Sequence, residues 1–140
     1  MLTVIEKVIL LQNVDIFAEV PSELLAYLAA IAEEVEFPGD HEVYAEDGPS
    51  DAMYLVLSGR VRLHRGDVEV TSARAHQAFG TWALFDDEPR LATATTLEPT
   101  EALVVRRDDF IDVLADNARV TQAVLRAVVR RLRSLGRSVR

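Results

Sequence analysis

The sequence contains no cysteine, which excludes disulfides, thiolate nucleophiles and cysteine-based zinc or iron-sulfur centres at once. No apolar run approaches the roughly 20 residues that a membrane span requires. The N-terminus also lacks a basic region followed by an apolar core and a small-residue cleavage site, so a cytoplasmic protein is expected. Internal repeats and low-complexity segments are missing too, and acids are missing from the last 24 residues. All 23 acidic side chains and 8 basic ones lie in residues 1–116, whereas residues 117–140 carry seven arginines. An acidic body discourages nonspecific nucleic-acid binding. The arginine tail is either a solvated helix face that complements the helix's negative end or a contact for phosphate, a membrane surface or an acidic partner.

What is present is ordinary for a folded domain. Over 140 residues, 49% are apolar and 27% charged, enough for one hydrophobic core, so a single domain over 1–140 is expected. Residues 1–37 read as N-terminal helices. Leu24, Leu25, Leu28, Ile31, Ala32 and Val35 recur at helical spacing after Pro21, and Pro38-Gly39 ends the pattern. Residues 38–106 then change to period two. Met53–Leu57 predicts a buried strand, and Val61–His64 with Val68–Val70 around Gly66-Asp67 predicts a hairpin. Leu91–Thr96 and Ala102–Val105 bring the total to at least six short strands, the spacing of a sandwich or jelly roll.

Residues 107–140 return to helix. Asp108-Asp109 suit a first turn, and Val120, Val124, Val128, Leu132 and Leu135, widened by Leu125 and Val129, form one apolar stripe. Strands grouped between terminal helices predict an α+β fold, an antiparallel β jelly-roll barrel flanked by N- and C-terminal helices. The stripe requires cover, either from the barrel or from the same helix of a second subunit.

Catalytic chemistry finds no footing. His41, His64 and His76 lack metal-ligand spacing, no Gly-x-Ser-x-Gly elbow occurs, and the adjacent acids Glu33-Glu34, Asp86-Asp87 and Asp108-Asp109 do not face one another. No enzyme activity, catalytic residue, metal or resident cofactor is expected.

The informative segment runs from Phe79 to Thr93. It reads as a strand end at Phe79, a glycine at Gly80 that lets backbone approach a ligand, and a short turn, Thr81-Trp82-Ala83-Leu84, whose N–H groups suit an anion. A loop follows, made rigid by Pro89. Arg90 then opens the next strand with a two-pronged donor for phosphate or carboxylate. The plainer reading pairs Arg90 with Asp86, Asp87 or Glu88 across the loop.

This segment resembles the phosphate-binding cassette of the cyclic nucleotide-binding domain family: Phe-Gly-Glu, two or three apolar residues, a variable loop, then Pro-Arg and a small residue. Similar blocks occur in order along nearly the whole chain: Leu10-Leu11 with Ile16-Phe17, Phe37-Pro38-Gly39, Glu46-Asp47-Gly48, Met53–Val61, Asp108-Asp109-Phe110 and Arg130-Arg131-Leu132. The resemblance implies a cassette over 79–92. Phe79, Gly80, Thr81, Trp82, Ala83, Pro89, Arg90, Leu91 and Ala92 would then contact a cyclic mononucleotide, cAMP or cGMP, with Arg90 on the phosphate and Thr93 and Thr95 nearby.

The family's glutamate, small residue and upstream glycine stand here as Thr81, Leu91 and His76, changes that fall on the site itself. Two functions follow. One is a sensor whose C-terminal helices relay binding, and the other is a degenerate pocket on a dimerisation module, in either case with a homodimer through the C-terminal helix. A DNA-reading helix-turn-helix would have to follow the long helix, so DNA binding by this chain alone is not expected. The chain is either a small protein or a piece of a larger membrane or regulatory protein.

Overall fold

A computed structural model describes residues 1–139, with side chains through Gly136. The chain divides into two compact units, Ala32–Asp108 and the helical segments on either side of it.

The helical unit contains α1 (Val4–Leu11), a 3-10 turn (Asp15–Phe17), α2 (Ser22–Ile31), most of α3 (Arg107–Asp116) and α4 (Ala118–Val139). Thr3 starts α1 with a reciprocal cap. Its hydroxyl accepts from the Glu6 amide at 3.1 Å while its own amide donates to Glu6 Oε1 at 3.0 Å. These bonds to Thr3 hold the Glu6 carboxyl below the usual carboxylate range. Helix α2 begins where the Pro21 carbonyl accepts from the amides of Leu24 and Leu25. Buried Phe17 and Phe110 pack ring on ring, 6.2 Å between centroids.

The stripe on α4 divides. Val120 and Val124 are buried, while Leu125, Val129, Leu132 and Leu135 are exposed, so only the second set is open to a partner. Three arginines of α4 find acids inside this unit: Arg119 lies 3.8 Å from Glu23, Arg130 lies 2.9 Å from Glu19, and Arg131 pairs with Asp15.

The strand unit holds two four-stranded antiparallel sheets. One has the order β1 (Glu33–Phe37), β8 (Thr100–Arg106), β3 (Ala52–Ser58), β6 (Ala78–Phe79), and the other β2 (Glu42–Tyr44), β7 (Thr93–Thr96), β4 (Val61–Arg65), β5 (Val68–Ala73). The expected α+β jelly roll is therefore present as a two-sheet sandwich. Among the described residues no hydrogen-bonded strand pair joins the two sheets into a closed barrel. Val56, Val61, Ala73, Phe79 and Ala94 meet between the sheets, with Val43, Tyr44, Tyr54 and Leu63 against them. The predicted β4–β5 hairpin forms around Gly66-Asp67. Strands β3 and β4 pass from one sheet to the other through Gly59, whose φ of +99° needs glycine.

Two boundaries differ from the sequence reading. The N-terminal helical segment ends at Ile31, not at residue 37. Glu33–Phe37 pairs in register with β8, from Glu33 opposite Val104 to Phe37 opposite Thr100. Val35 fits the helical stripe, but Val35 and Phe37 also alternate with Glu34 and Glu36, and a full-length strand partner decides between the two periods. Likewise the strand expected from Leu91 begins at Thr93. Arg90 is already bonded elsewhere, its amide donating to the Gly48 carbonyl at 3.0 Å and its carbonyl accepting from the Asp47 amide at 2.8 Å.

Candidate functional site

The cassette begins where β6 ends. Phe79 is buried, its ring stacked on Tyr54 at 5.2 Å and 6.0 Å from Tyr44. Gly80 then turns the chain with φ +71° and caps a 3-10 turn over Thr81–Leu84. A Cβ at Gly80 would lie 2.5 Å from Arg90 Nη1, so the glycine serves both the backbone conformation and the close approach of the arginine. The first bond inside the turn runs from the Ala83 amide to the Gly80 carbonyl at 3.2 Å, which leaves the Thr81 amide ahead of it at the turn's N-terminal end. Ala83 and Leu84 are buried, Thr81 is half-buried, and Trp82 is 52% exposed with its ring 6.2 Å from that of Phe85.

Beyond the turn, Asp86 Oδ1 accepts from the Glu88 amide at 3.2 Å, and exposed Pro89 leads the chain inward to Arg90. Leu91 is 71% exposed and Ala92 half-buried, and Arg65 Nε donates to the Leu91 carbonyl at 2.8 Å. Of the nine residues singled out from the sequence, Arg90 is the buried polar one, and Gly80 lies directly against its guanidinium.

Arg90 is only 5% exposed. Its Nη2 donates to the Ala52 carbonyl at 2.7 Å and its Nη1 to the Gly80 carbonyl at 3.4 Å. The guanidinium lies 3.9 Å over the Tyr44 ring. Its Nε is buried without a hydrogen-bond partner. The acids of the cassette loop are not its partners, contrary to the plainer reading. Arg90 turns to Asp51, 3.8 Å away, whose side chain is 72% exposed.

A carboxylate so exposed contributes at most about 1 kcal/mol, whereas burying an ion without full compensation costs several kcal/mol. The site thus holds a buried cation with carbonyl dipoles, an aromatic face and one loose counter-ion, and it is electrostatically receptive to an anion. Burial pushes the hydroxyls of Tyr44 and Tyr54 above the ordinary tyrosine range, with Arg90 opposing the shift in both, so both are neutral beside it.

Two features near the site follow from the backbone. Thr93 and Thr95 flank core residue Ala94 and by alternation lie on the opposite face, away from the interior. Their hydroxyls are engaged there, Thr93 by the Glu46 amide at 2.9 Å and Thr95 by His64 Nε2 at 2.8 Å. His76, standing where the related pattern carries glycine, has φ +69°, a conformation that costs a non-glycine residue about 1–2 kcal/mol.

Sequence reasoning missed Tyr44, Asp51, Ala52 and Arg107. Ala52 contributes a carbonyl, which carries no side-chain signal. Tyr44 and Asp51 come from the β2–β3 region, far from the cassette in sequence. Among the described residues no three His, Asp or Glu side chains gather as a metal site, and no helix is long and apolar enough to cross a membrane.

Comparison with known proteins agrees with this geometry. The family model for the cyclic nucleotide-binding domain matches residues 34–117. A CRP-like cAMP-activated global transcriptional regulator of Mycobacterium tuberculosis is 32% identical over 129 residues, covering 89% of this chain and 58% of that protein. A cyclic AMP receptor protein of Thermus thermophilus is 32% identical over 102 residues, covering 69% of this chain and 47% of that protein. The chain thus spans only about half the length of these relatives. Among solved structures, the N-terminal domain of a transcriptional regulator from Streptomyces coelicolor superposes with a TM-score of 0.84 at 32% identity, covering 94% of this chain and 95% of that one.

Proposed function

The chain belongs to the cyclic nucleotide-binding domain family, and from that membership we propose that it is a regulatory domain that binds a cyclic mononucleotide through Arg90. The observation that carries this reading is the buried, incompletely compensated guanidinium enclosed by the Gly80 turn and the Tyr44 ring. A cyclic phosphate would take the two-pronged donor of Arg90, with backbone N–H groups of the Thr81 turn completing the anion site. Phe79, Ala83, Pro89 and Ala92 shape the cassette. Trp82 and Leu91 border it as bulky apolar groups.

The relatives described as cAMP-activated or as cyclic AMP receptors favour cAMP over cGMP. Thr81 supplies a hydroxyl where the family pattern has a carboxylate, which is expected to weaken binding roughly tenfold to a hundredfold relative to a site with that charged acceptor. The C-terminal helices would relay the signal, provided that the ligand binds one of their arrangements better than the other. The domain is read as non-enzymatic.

A second reading rests on α4. Its exposed Leu125, Val129, Leu132 and Leu135 suit a homodimer, and a chain that dimerises without binding nucleotide would be an interaction module on the same fold.

Isothermal titration with cAMP and cGMP at two protein concentrations separates the two. Saturable binding that weakens by about a hundredfold or more in Arg90→Ala is expected. No heat from either nucleotide, with a folded and concentration-dependently dimeric chain, would favour the second reading.

A further inference from the structure

Arg107, the first residue of α3, lies outside the group of residues around Arg90 and makes an unusual set of bonds. Its Nη1 donates to the Ser50 carbonyl at 2.6 Å and the Asp86 carbonyl at 2.7 Å, with the Ala83 carbonyl at 3.3 Å. Its own amide donates to the Asp51 carbonyl at 2.8 Å. One residue therefore joins the β2–β3 connection, the cassette turn and the cassette loop.

The other arginine attached to that connection is Arg90. Residues 50, 51 and 52 are consecutive, and the two cations divide them. Arg107 holds the Ser50 carbonyl through its guanidinium and the Asp51 carbonyl through its backbone amide, while the guanidinium of Arg90 holds the Ala52 carbonyl and faces the Asp51 carboxylate. Arg90 also reaches the Gly80 carbonyl on one side of the turn whose Ala83 carbonyl faces Arg107 on the other. The turn and the segment 50–52 thus have a common spacing, set by two guanidinium groups bonded to backbone carbonyls. At Arg107 the three carbonyls converge on Nη1, whose hydrogens have fixed directions in a planar, permanently charged group, whereas a lysine ammonium rotates freely on its stem.

We infer that Arg107 is the positioning residue of the anion site: acting on Arg90 through Ser50–Ala52, it fixes the cassette turn and so sets nucleotide affinity from the first turn of α3. The affinity half of this inference rests on the nucleotide-binding reading, and the positioning half does not. A corollary is that displacement of the first residue of α3 acts directly on the cassette, because the bond runs from that residue's own side chain.

The chain's one tryptophan, Trp82, lies in the cassette turn and reports on it without any ligand. The experiment uses the whole chain as wild type, Arg107→Gln and Arg107→Lys, with Arg62→Gln as a control that removes an arginine whose partners among the described residues are Asp67 and Glu69 of its own hairpin. Acrylamide quenching of Trp82 is measured without nucleotide, thermal unfolding by circular dichroism, and affinity by cAMP titration. In Arg107→Gln the ligand-free Trp82 is expected to lose protection, and cAMP binding to weaken by about tenfold, with Arg107→Lys intermediate and Arg62→Gln unchanged.

A change at Trp82 in a chain whose wild type binds no cAMP would uphold the positioning role and remove the nucleotide reading. Unchanged quenching in a folded Arg107→Gln would overturn the proposal, whatever the affinity. Loss of cooperative unfolding in both Arg107 variants would overturn it as well, since Arg107 would then be a determinant of the whole fold and not of the cassette.

Discussion

Arg90 of the strand unit and three arginines of α4 carry the same head group in opposite settings. Arg90 is buried, bonded to backbone carbonyls and over an aromatic ring, with one distant and exposed carboxylate. Arg119, Arg130 and Arg131 lie on α4 opposite the carboxylates Glu23, Glu19 and Asp15. Carbonyl dipoles fix the direction of a guanidinium but leave its net charge uncancelled, whereas carboxylates cancel the charge and fix direction only loosely. Arginine count and local net charge therefore mislead in this molecule. Three arginines of the arginine-rich segment face acids of the N-terminal segment, while Arg90, in the acidic body, is held by carbonyls that leave its charge open.

The comparison breaks most severely at Gly80. In Gly80→Ala the new methyl group would sit 2.5 Å from Arg90 Nη1 and would force a non-glycine residue to adopt φ +71°. The backbone cost is about 1–2 kcal/mol, and the displaced guanidinium can no longer present both donors. Nucleotide affinity by titration is expected to fall by about a hundredfold or more, with a smaller loss in unfolding free energy. A variant that binds as the wild type does would show that the buried position of Arg90 is not needed.

A milder change acts on the aromatic face. Tyr44→Leu removes the ring 3.9 Å from the guanidinium, while Tyr44→Phe keeps it. A desolvated cation–π contact is worth up to about 2 kcal/mol, so Tyr44→Leu should weaken binding by about three- to thirtyfold. Tyr44→Phe should stay close to wild type. Equal losses in the two variants would mean that the hydroxyl, and not the ring face, holds Arg90.

How much of this was legible in the sequence depended on the range of the interactions. The cassette was readable because Phe79, Gly80, Pro89 and Arg90 belong to one continuous run that resembles the family's pattern. The hairpin was readable for the same reason, since its turn and both strands are adjacent. The end of the N-terminal helices was not, because Val35 satisfies both periods and the strand that decides the matter, β8, lies more than 60 residues further on. Asp51 and Arg107 were invisible on similar grounds. Arg107 acts on carbonyls of Ser50, Ala83 and Asp86, which every residue type supplies. The α4 stripe was legible as a stripe, but its division into buried Val120 and Val124 and exposed Leu125, Val129, Leu132 and Leu135 depends on packing that periodicity does not reveal.

The smallest expected effect lies on the other side of the comparison. Arg130 pairs with Glu19 at 2.9 Å, and both side chains are about half exposed. Pairs in such a setting contribute about 0.2–1 kcal/mol, because water already stabilises each ion and ordering two long side chains opposes the gain. Arg130→Ala should therefore lower the unfolding free energy by no more than that in dilute buffer. The difference should nearly vanish near 1 M salt, where the Debye length falls to about 3 Å. Cyclic nucleotide affinity should not change, since the charge of Arg130 is already matched within the helical unit. Denaturant unfolding at low and high salt, with cAMP titration of the same variant, checks both statements. If Arg130→Ala instead weakened cAMP binding as severely as Gly80→Ala, the arginines of α4 would have to be counted with Arg90 as part of the ligand response, and the contrast between the two sets would fail.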